Sequence, residues 1–552
     1  MRFLLPLLVL VACKRDTPPP VEVQPEGSTG CREVAPVRTT GAMVVSAHPE
    51  ASRIGADILR AGGSAADAAT AMAIALTLVE PQSSGIGGGA FLLHHDAETG
   101  TLTAWDGRET APKAADPALF MGEAGPRPWP EVVPGGLSVG TPGLLRMLEA
   151  LTAEHGALPW ADLVRPTVAL AETGFTVTPR MAKSVCQWEG PDGTPGCAGV
   201  GGLPAFLKGI DPLRKNPASF AYFYPDGVAV AAGDTLRNPG LASVLSAVET
   251  GGADAFYTGP VADRIVQAVA QAERNPGLLT TADLAAYTAV KREPVCLDYR
   301  GHRVCGHPPP TSGGTTVLEI LGLLESRDLS ALDPDGPELA HLFTEAARLA
   351  WADRDRYLGD PSFVPVPVDA MLDDAYLAQR ATLLTDARAA EVTPGDLPTP
   401  ALAEAGACPE GADTTHLVVV DASGDVVSMT SSIENAWGSG TMVDGFLLNN
   451  QLTDFEREPG LANSPAACKR PRSSMAPVIV YAPDGSVELA LGSPGGSRII
   501  QYVARTLVSV VDHGMDAQAA IARPNLASGG RLELEDDCGA PAWSDATVSA
   551  LE

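Results

Sequence analysis

Asp413-Thr-Thr-His-Leu-Val-Val-Val-Asp-Ala-Ser-Gly-Asp425 is the stretch on which the reading of this chain turns. Residues 417–420 and 426–430 are rich in β-formers and flank the turn sequence Asp421-Ala-Ser-Gly-Asp425. That pattern predicts a β-hairpin with Thr414 at the exposed start of its first strand. A break between Asp413 and Thr414 would give the threonine a free α-amine. One residue would then carry both nucleophile and general base, and no separate histidine is required.

Working outward, the small-residue and polar runs downstream are Asn449-Asn-Gln-Leu-Thr-Asp-Phe455, Lys469-Arg-Pro-Arg-Ser-Ser-Met-Ala-Pro477 and Leu491-Gly-Ser-Pro-Gly-Gly-Ser-Arg498. Upstream stand Ala47-His-Pro-Glu-Ala51, Gly85-Ile-Gly-Gly-Gly89, Asp106-Gly-Arg-Glu-Thr-Ala-Pro112, Pro308-Pro-Pro-Thr-Ser-Gly-Gly314 and Trp351-Ala-Asp-Arg354. In this order, over nearly all of residues 40 to 525, they resemble the γ-glutamyltransferase (γ-glutamyltranspeptidase) family of N-terminal-nucleophile hydrolases. The resemblance implies an α+β fold, a four-layer αββα sandwich made of two interleaved subunits from one precursor. The large subunit would span 41–413 and the small one 414–552, so the three or four domains that length alone suggests are not expected.

The resemblance also implies a set of roles. Thr414 would attack the Asp413 carbonyl during maturation, and later the γ-carbonyl of a γ-glutamyl small molecule or peptide. Water or an amine or peptide acceptor would resolve the resulting ester, without cofactor or metal. Gly495 and Gly496 match an oxyanion-binding pair, a task that suits backbone N–H groups. Ser432 matches a threonine that bonds the nucleophile. Arg108 matches the arginine that grips the substrate α-carboxylate, where a planar guanidinium makes two parallel bonds; taken alone, it would read as a surface arginine paired with Glu109 or another carboxylate. Glu434, Gln451 and Asp454 match contacts to the α-amino group, and Ser473 and Ser474 match the pair that helps hold the carboxylate. A glutaryl-type β-lactam acylase of the same superfamily is the enzymatic alternative, but its substrates lack that amino group, so the presence of Glu434, Gln451 and Asp454 favours γ-glutamyl chemistry; a non-catalytic surface binding protein is the other alternative.

Two departures from the family stand out. Residues 456–472 are shorter than the insertion that forms a lid in some members, so a lidless bacterial type is expected. After Arg523-Pro-Asn525 the usual Asp-Pro-Arg motif is absent, and either the segment from Arg531 replaces the final sheet elements or the end is truncated.

The start, Met1-Arg-Phe-Leu-Leu-Pro-Leu-Leu-Val-Leu-Val-Ala-Cys13, reads as an export signal too short for a permanent span, with Leu10-Val-Ala-Cys13 resembling a lipobox. Residues 14–40 then form a Pro-rich tether. The expected location is periplasmic or cell-surface, with membrane attachment only through a lipid on Cys13. Removing Cys13 from nine cysteines leaves an even number, as suits an oxidising compartment. Cys186 with Cys197, and Cys296 with Cys305 across a Tyr-Arg-Gly turn, are the local pairs; connectivity among Cys31, Cys408, Cys468 and Cys538 stays open.

A formal charge of −29 speaks against nucleic acid and anionic membrane surfaces, which need basic patches. Helical periodicity predicts two helices over 51–79 broken at Gly62-Gly63, and further helices over 160–171, 241–248, 339–351 and 375–384. The glycines at 85–89 lack the context of a phosphate loop and read as turns before a strand over 91–94.

Overall fold

The structure is a computed structural model that describes residues 34–187, 211–398, 413–528, 532–535, 543–544 and 547–548. The lipobox at Cys13, most of the tether, Arg531, and Cys31, Cys197, Cys408 and Cys538 lie outside the described residues.

The two main sheets are built from β1 (Met43–Val45), β2 (Gly89–Asp96), β3 (Thr101–Asp106), β4 (Val290–Arg292), β5 (Val295–Tyr299), β6 (His302–Gly306), β7 (Thr415–Val420), β8 (Val426–Ser432), β9 (Val478–Tyr481) and β10 (Val487–Leu491). Among the described residues, one sheet has six strands in the order β1-β7-β8-β2-β3-β4 and the other four in the order β10-β9-β6-β5. All ladders are antiparallel. Leu93, Ala104, Val426, Cys305, Ile479 and Tyr481 fill the space between the sheets.

Helices cover both outer faces. On the side of the six-stranded sheet lie α1 (Pro49–Arg60), α2 (Ala65–Val79) and α3 (Leu144–His155), with α4 (Trp160–Thr173) packed on α2 and α5 (Pro239–Gly251) on α4; on the side of the other lie α6 (Gly313–Leu324), α7 (Pro337–Tyr357), α8 (Asp374–Ala381) and α9 (Ile499–Val511). This is the expected αββα layering. Every residue of α2 is buried, which its alanine-rich sequence permits: small side chains on all sides let α1 and the strands approach closely. The start of α2 is a capping box between Ser64 and Asp67, which answers two of the helix's unpaired N–H groups.

The predicted hairpin is β7 and β8, in register from Thr415↔Ser431 to Val420↔Val426. β7 alternates buried and half-buried positions, whereas β8 is buried throughout. β8 sits at the centre, paired on both edges and covered on both faces, so the pattern differs for a physical reason. Asp421 anchors the turn: Oδ1 accepts from Ser423 N (2.9 Å) and Oδ2 from Ala65 N (2.9 Å) at the start of α2. The strand that begins beside Thr414 is thereby fixed to the scaffold.

Both sheets combine strands from before and after residue 413: β7 and β8 lie between β1 and β2, and β9 pairs with β6. Cys296 and Cys305 face each other across β5 and β6 and form a disulfide. Cys186 is disulfide-bonded, and Cys468 is free and exposed. Near the end, Leu526–Ser528 pairs with Leu532–Leu534 as a separate two-stranded ribbon.

Candidate active site

The start of β7, the end of β8 and the loops after β8 and before β9 converge on one cleft. Arg108, Thr414, Ser432, Glu434, Gln451, Asp454, Ser473, Ser474 and Gly496 all line it, together with Met475 and Ile499. Gly495 is not among the lining residues but precedes Gly496 in the turn into α9; both have positive φ, +130° and +58°, which glycine adopts without a Cβ clash. No residue of 456–472 is among those lining the cleft.

Thr414 is not exposed, as the hairpin pattern had suggested, but 3% accessible, because the strand start is covered by the loops that build the cleft. Its hydroxyl donates to Ser432 Oγ at 3.4 Å. Ser432 Oγ in turn donates to the Asp413 carbonyl oxygen at 2.9 Å and accepts from Glu434 N at 2.8 Å. One hydroxyl therefore bridges the Thr414 oxygen and the carbonyl of the preceding residue. His416, two residues on, is held neutral by burial, with its pKa lowered to about 3, and its Nδ1 lies 2.9 Å from Thr430 Oγ1. It belongs to the strand.

Arg108 is fully buried, so the surface reading of this arginine fails. Nη1 donates to Gln451 Oε1 at 2.5 Å, Nε to the Pro471 carbonyl at 3.1 Å, and Nη2 to the Arg472 carbonyl at 2.8 Å and to Asp454. Glu109, whose Oε2 is 3.6 Å from Arg108 Nη1, is pushed up to about 8 by burial, against the pull of that guanidinium. Asp454 is thus the carboxylate that meets the arginine directly.

Glu434 has φ +84°, an uncommon conformation for a side-chain-bearing residue and one associated with functional sites. Its Oε2 accepts from Asn450 Nδ2 at 2.8 Å and from Asn435. Ser474 Oγ accepts from Arg354 Nη2 at 2.9 Å, while Arg354 Nε donates to Ser312 Oγ at 2.8 Å and Ser312 Oγ to the Ser473 carbonyl at 2.6 Å. Arg354 and Ser312 are therefore supports of the serine pair. Both fall within the motifs Trp351-Ala-Asp-Arg354 and Pro308-Pro-Pro-Thr-Ser-Gly-Gly314, whose spacing assigns them no task.

A hydroxyl at a buried strand start, a second hydroxyl linking it to the preceding carbonyl, and an adjoining pocket holding one cation and two carboxylates suit acyl transfer from a zwitterionic donor. Comparison with known proteins agrees. The family model for gamma-glutamyltranspeptidase matches residues 51–552. The glutathione hydrolase proenzyme of Bacillus subtilis (strain 168) is 36% identical over 514 residues, covering 90% of this chain and 82% of that protein. The acylase ACY 1 proenzyme of Pseudomonas sp. (strain SE83) is 34% identical over 513 residues, covering 91% and 86%. Among solved structures, cephalosporin acylase from Bacillus halodurans superposes with a TM-score of 0.76 at 28% identity, covering 91% of this chain and 87% of that one. With a matched family model over most of its length and relatives above one-third identity, the chain belongs to the γ-glutamyltranspeptidase family.

Proposed function

We propose that the protein is a self-cleaving γ-glutamyltransferase and hydrolase that cuts γ-glutamyl amide bonds, as in glutathione, through a γ-glutamyl ester on Thr414. Cleavage between Asp413 and Thr414 yields subunits 41–413 and 414–552. The new amine of Thr414 takes the hydroxyl proton as its oxygen attacks the γ-carbonyl, the N–H groups of Gly495 and Gly496 receive the oxyanion, and Ser432 orients the nucleophile. Arg108, Ser473 and Ser474 hold the donor α-carboxylate; Glu434, Gln451 and Asp454 hold its ammonium group.

The observation that carries this reading is the pairing of Arg108 with Asp454 inside the cleft. A ligand bearing both a carboxylate and an ammonium group can exchange with that ion pair, one charge for each, leaving none unpaired. A glutaryl ligand brings only the carboxylate and would strand a buried Asp454, and breaking one side of a buried pair costs about 3–5 kcal/mol. The wild-type enzyme is therefore expected to prefer γ-glutamyl-p-nitroanilide to glutaryl-p-nitroanilide by at least about a hundredfold in kcat/KM. Asp454→Asn should narrow or reverse that preference. Equal use of both anilides by wild type, unchanged in the variant, would replace this reading by the acylase one, which the similarity to acylases favours.

The absence of 456–472 from the cleft wall supports access for larger donors, including γ-linked glutamate polymers. The amino terminus supports export and attachment through a lipidated Cys13, with 14–40 as tether. Cys13→Ser is expected to move the protein from the membrane fraction to the soluble fraction, provided that the signal is still removed. Membrane association of a signal-free Cys13→Ser chain would refute the anchor.

A further inference from the structure

Asp413 is gripped at its side chain as well as at its carbonyl. Ser83 Oγ donates to Asp413 Oδ1 across 3.5 Å, and Arg180 Nη2 forms an ion pair with the same oxygen at 3.6 Å. Arg180, in the helix Pro179–Gln187, also donates to Ser83 Oγ at 3.2 Å and pairs with Glu80. Glu80 is the buried residue that caps the end of α2.

This group is tied to the strand that carries Ser432. The carbonyl of Ser83 accepts from Ile433 N at 3.3 Å and that of Gln82 from Trp437 N at 3.0 Å. Ser432 meanwhile donates to the Asp413 carbonyl. Both ends of Asp413 are thus set by one frame, which limits rotation of the bond that Thr414 must attack; orientation of this kind is worth a large part of a reaction barrier. None of Glu80, Ser83 and Arg180 lines the substrate cleft.

We propose that Arg180 and Ser83, braced by Glu80, form a carboxylate clasp that selects an acidic residue on the acyl side of the self-cleavage bond and positions it for attack. The inference rests on self-cleavage at Asp413–Thr414. In that step the Thr414 oxygen bonds to the Asp413 carbonyl carbon and the C–N bond breaks. The hydroxyl proton ends on the Thr414 nitrogen, and water then hydrolyses the ester to a new Asp413 α-carboxylate and the restored hydroxyl. Arg180 and Ser83 are positioning residues for maturation, not for turnover.

The test follows the full chain made by cell-free synthesis, with the loss of precursor timed by intact mass. Arg180→Ala and Asp413→Asn are each expected to slow cleavage at least tenfold, Arg180→Lys to restore most of the rate, and Arg180→Ala/Asp413→Asn to be no slower than the slower single variant. Once matured, Arg180→Ala should turn over γ-glutamyl-p-nitroanilide within twofold of wild type per free Thr414 amino terminus. Wild-type cleavage rates in Asp413→Asn, multiplying effects in the double variant, or turnover that falls in step with cleavage would overturn the clasp. If Arg180→Ala does not fold, Asp413→Asn, which fills the same space, decides. A wild-type chain that stays intact would instead refute self-cleavage itself.

Discussion

Alanine at Thr414 is expected to leave the chain in one piece and without measurable γ-glutamyl turnover, whereas wild type separates into two fragments at Asp413–Thr414. The Thr414 hydroxyl lies within reach of Ser432, which already holds the carbonyl to be attacked. Ser432 is not expected to substitute, because its own hydroxyl donates to the carbonyl oxygen. Thr414→Ser should retain both steps, since the hydroxyl is kept. Intact mass and N-terminal sequencing of the fragments give the answer. A wild-type chain that never splits under folding conditions would remove the enzyme reading and favour a binding protein with the family body.

The second large effect belongs to Arg108. Truncating a charged residue that makes bidentate contact in a desolvated site costs about 2–5 kcal/mol, or roughly 30- to 5,000-fold in rate. Arg108→Ala should lose kcat/KM for γ-glutamyl-p-nitroanilide on that scale. Arg108→Lys should recover little, because an ammonium group cannot reproduce the fork that here reaches Gln451, Asp454 and two carbonyls. Self-cleavage should persist in both, since that step uses the protein's own backbone. Failure of both variants to mature would make Arg108 a structural residue, whereas full activity in both would remove it from donor binding.

Much of this was legible in the chain. The hairpin followed from two β-rich runs around a turn, and the helix pair over 51–79 from alanine periodicity broken at Gly62-Gly63; local chemistry decides such elements. Burial was less legible. Arg108 and Asp454 are 346 residues apart in sequence, and Arg354 and Ser474 are 120 apart, so their pairing depends on tertiary packing that no local pattern encodes. The same applies to Thr414: alternation marks a strand start, but the loops covering it come from elsewhere in the chain.

The interdigitation of β7 and β8 between β1 and β2 has a consequence for the life history of the molecule. Before cleavage these strands find their neighbours within a single polymer, a unimolecular search. Afterwards the same arrangement, once melted, would have to be rebuilt from two separate polypeptides at their ambient concentration, in competition with aggregation. The matured protein is thus held together by the height of its unfolding barrier more than by any ability to reassemble. Heating and cooling should return the Thr414→Ala precursor to its native form far more completely than the cleaved enzyme.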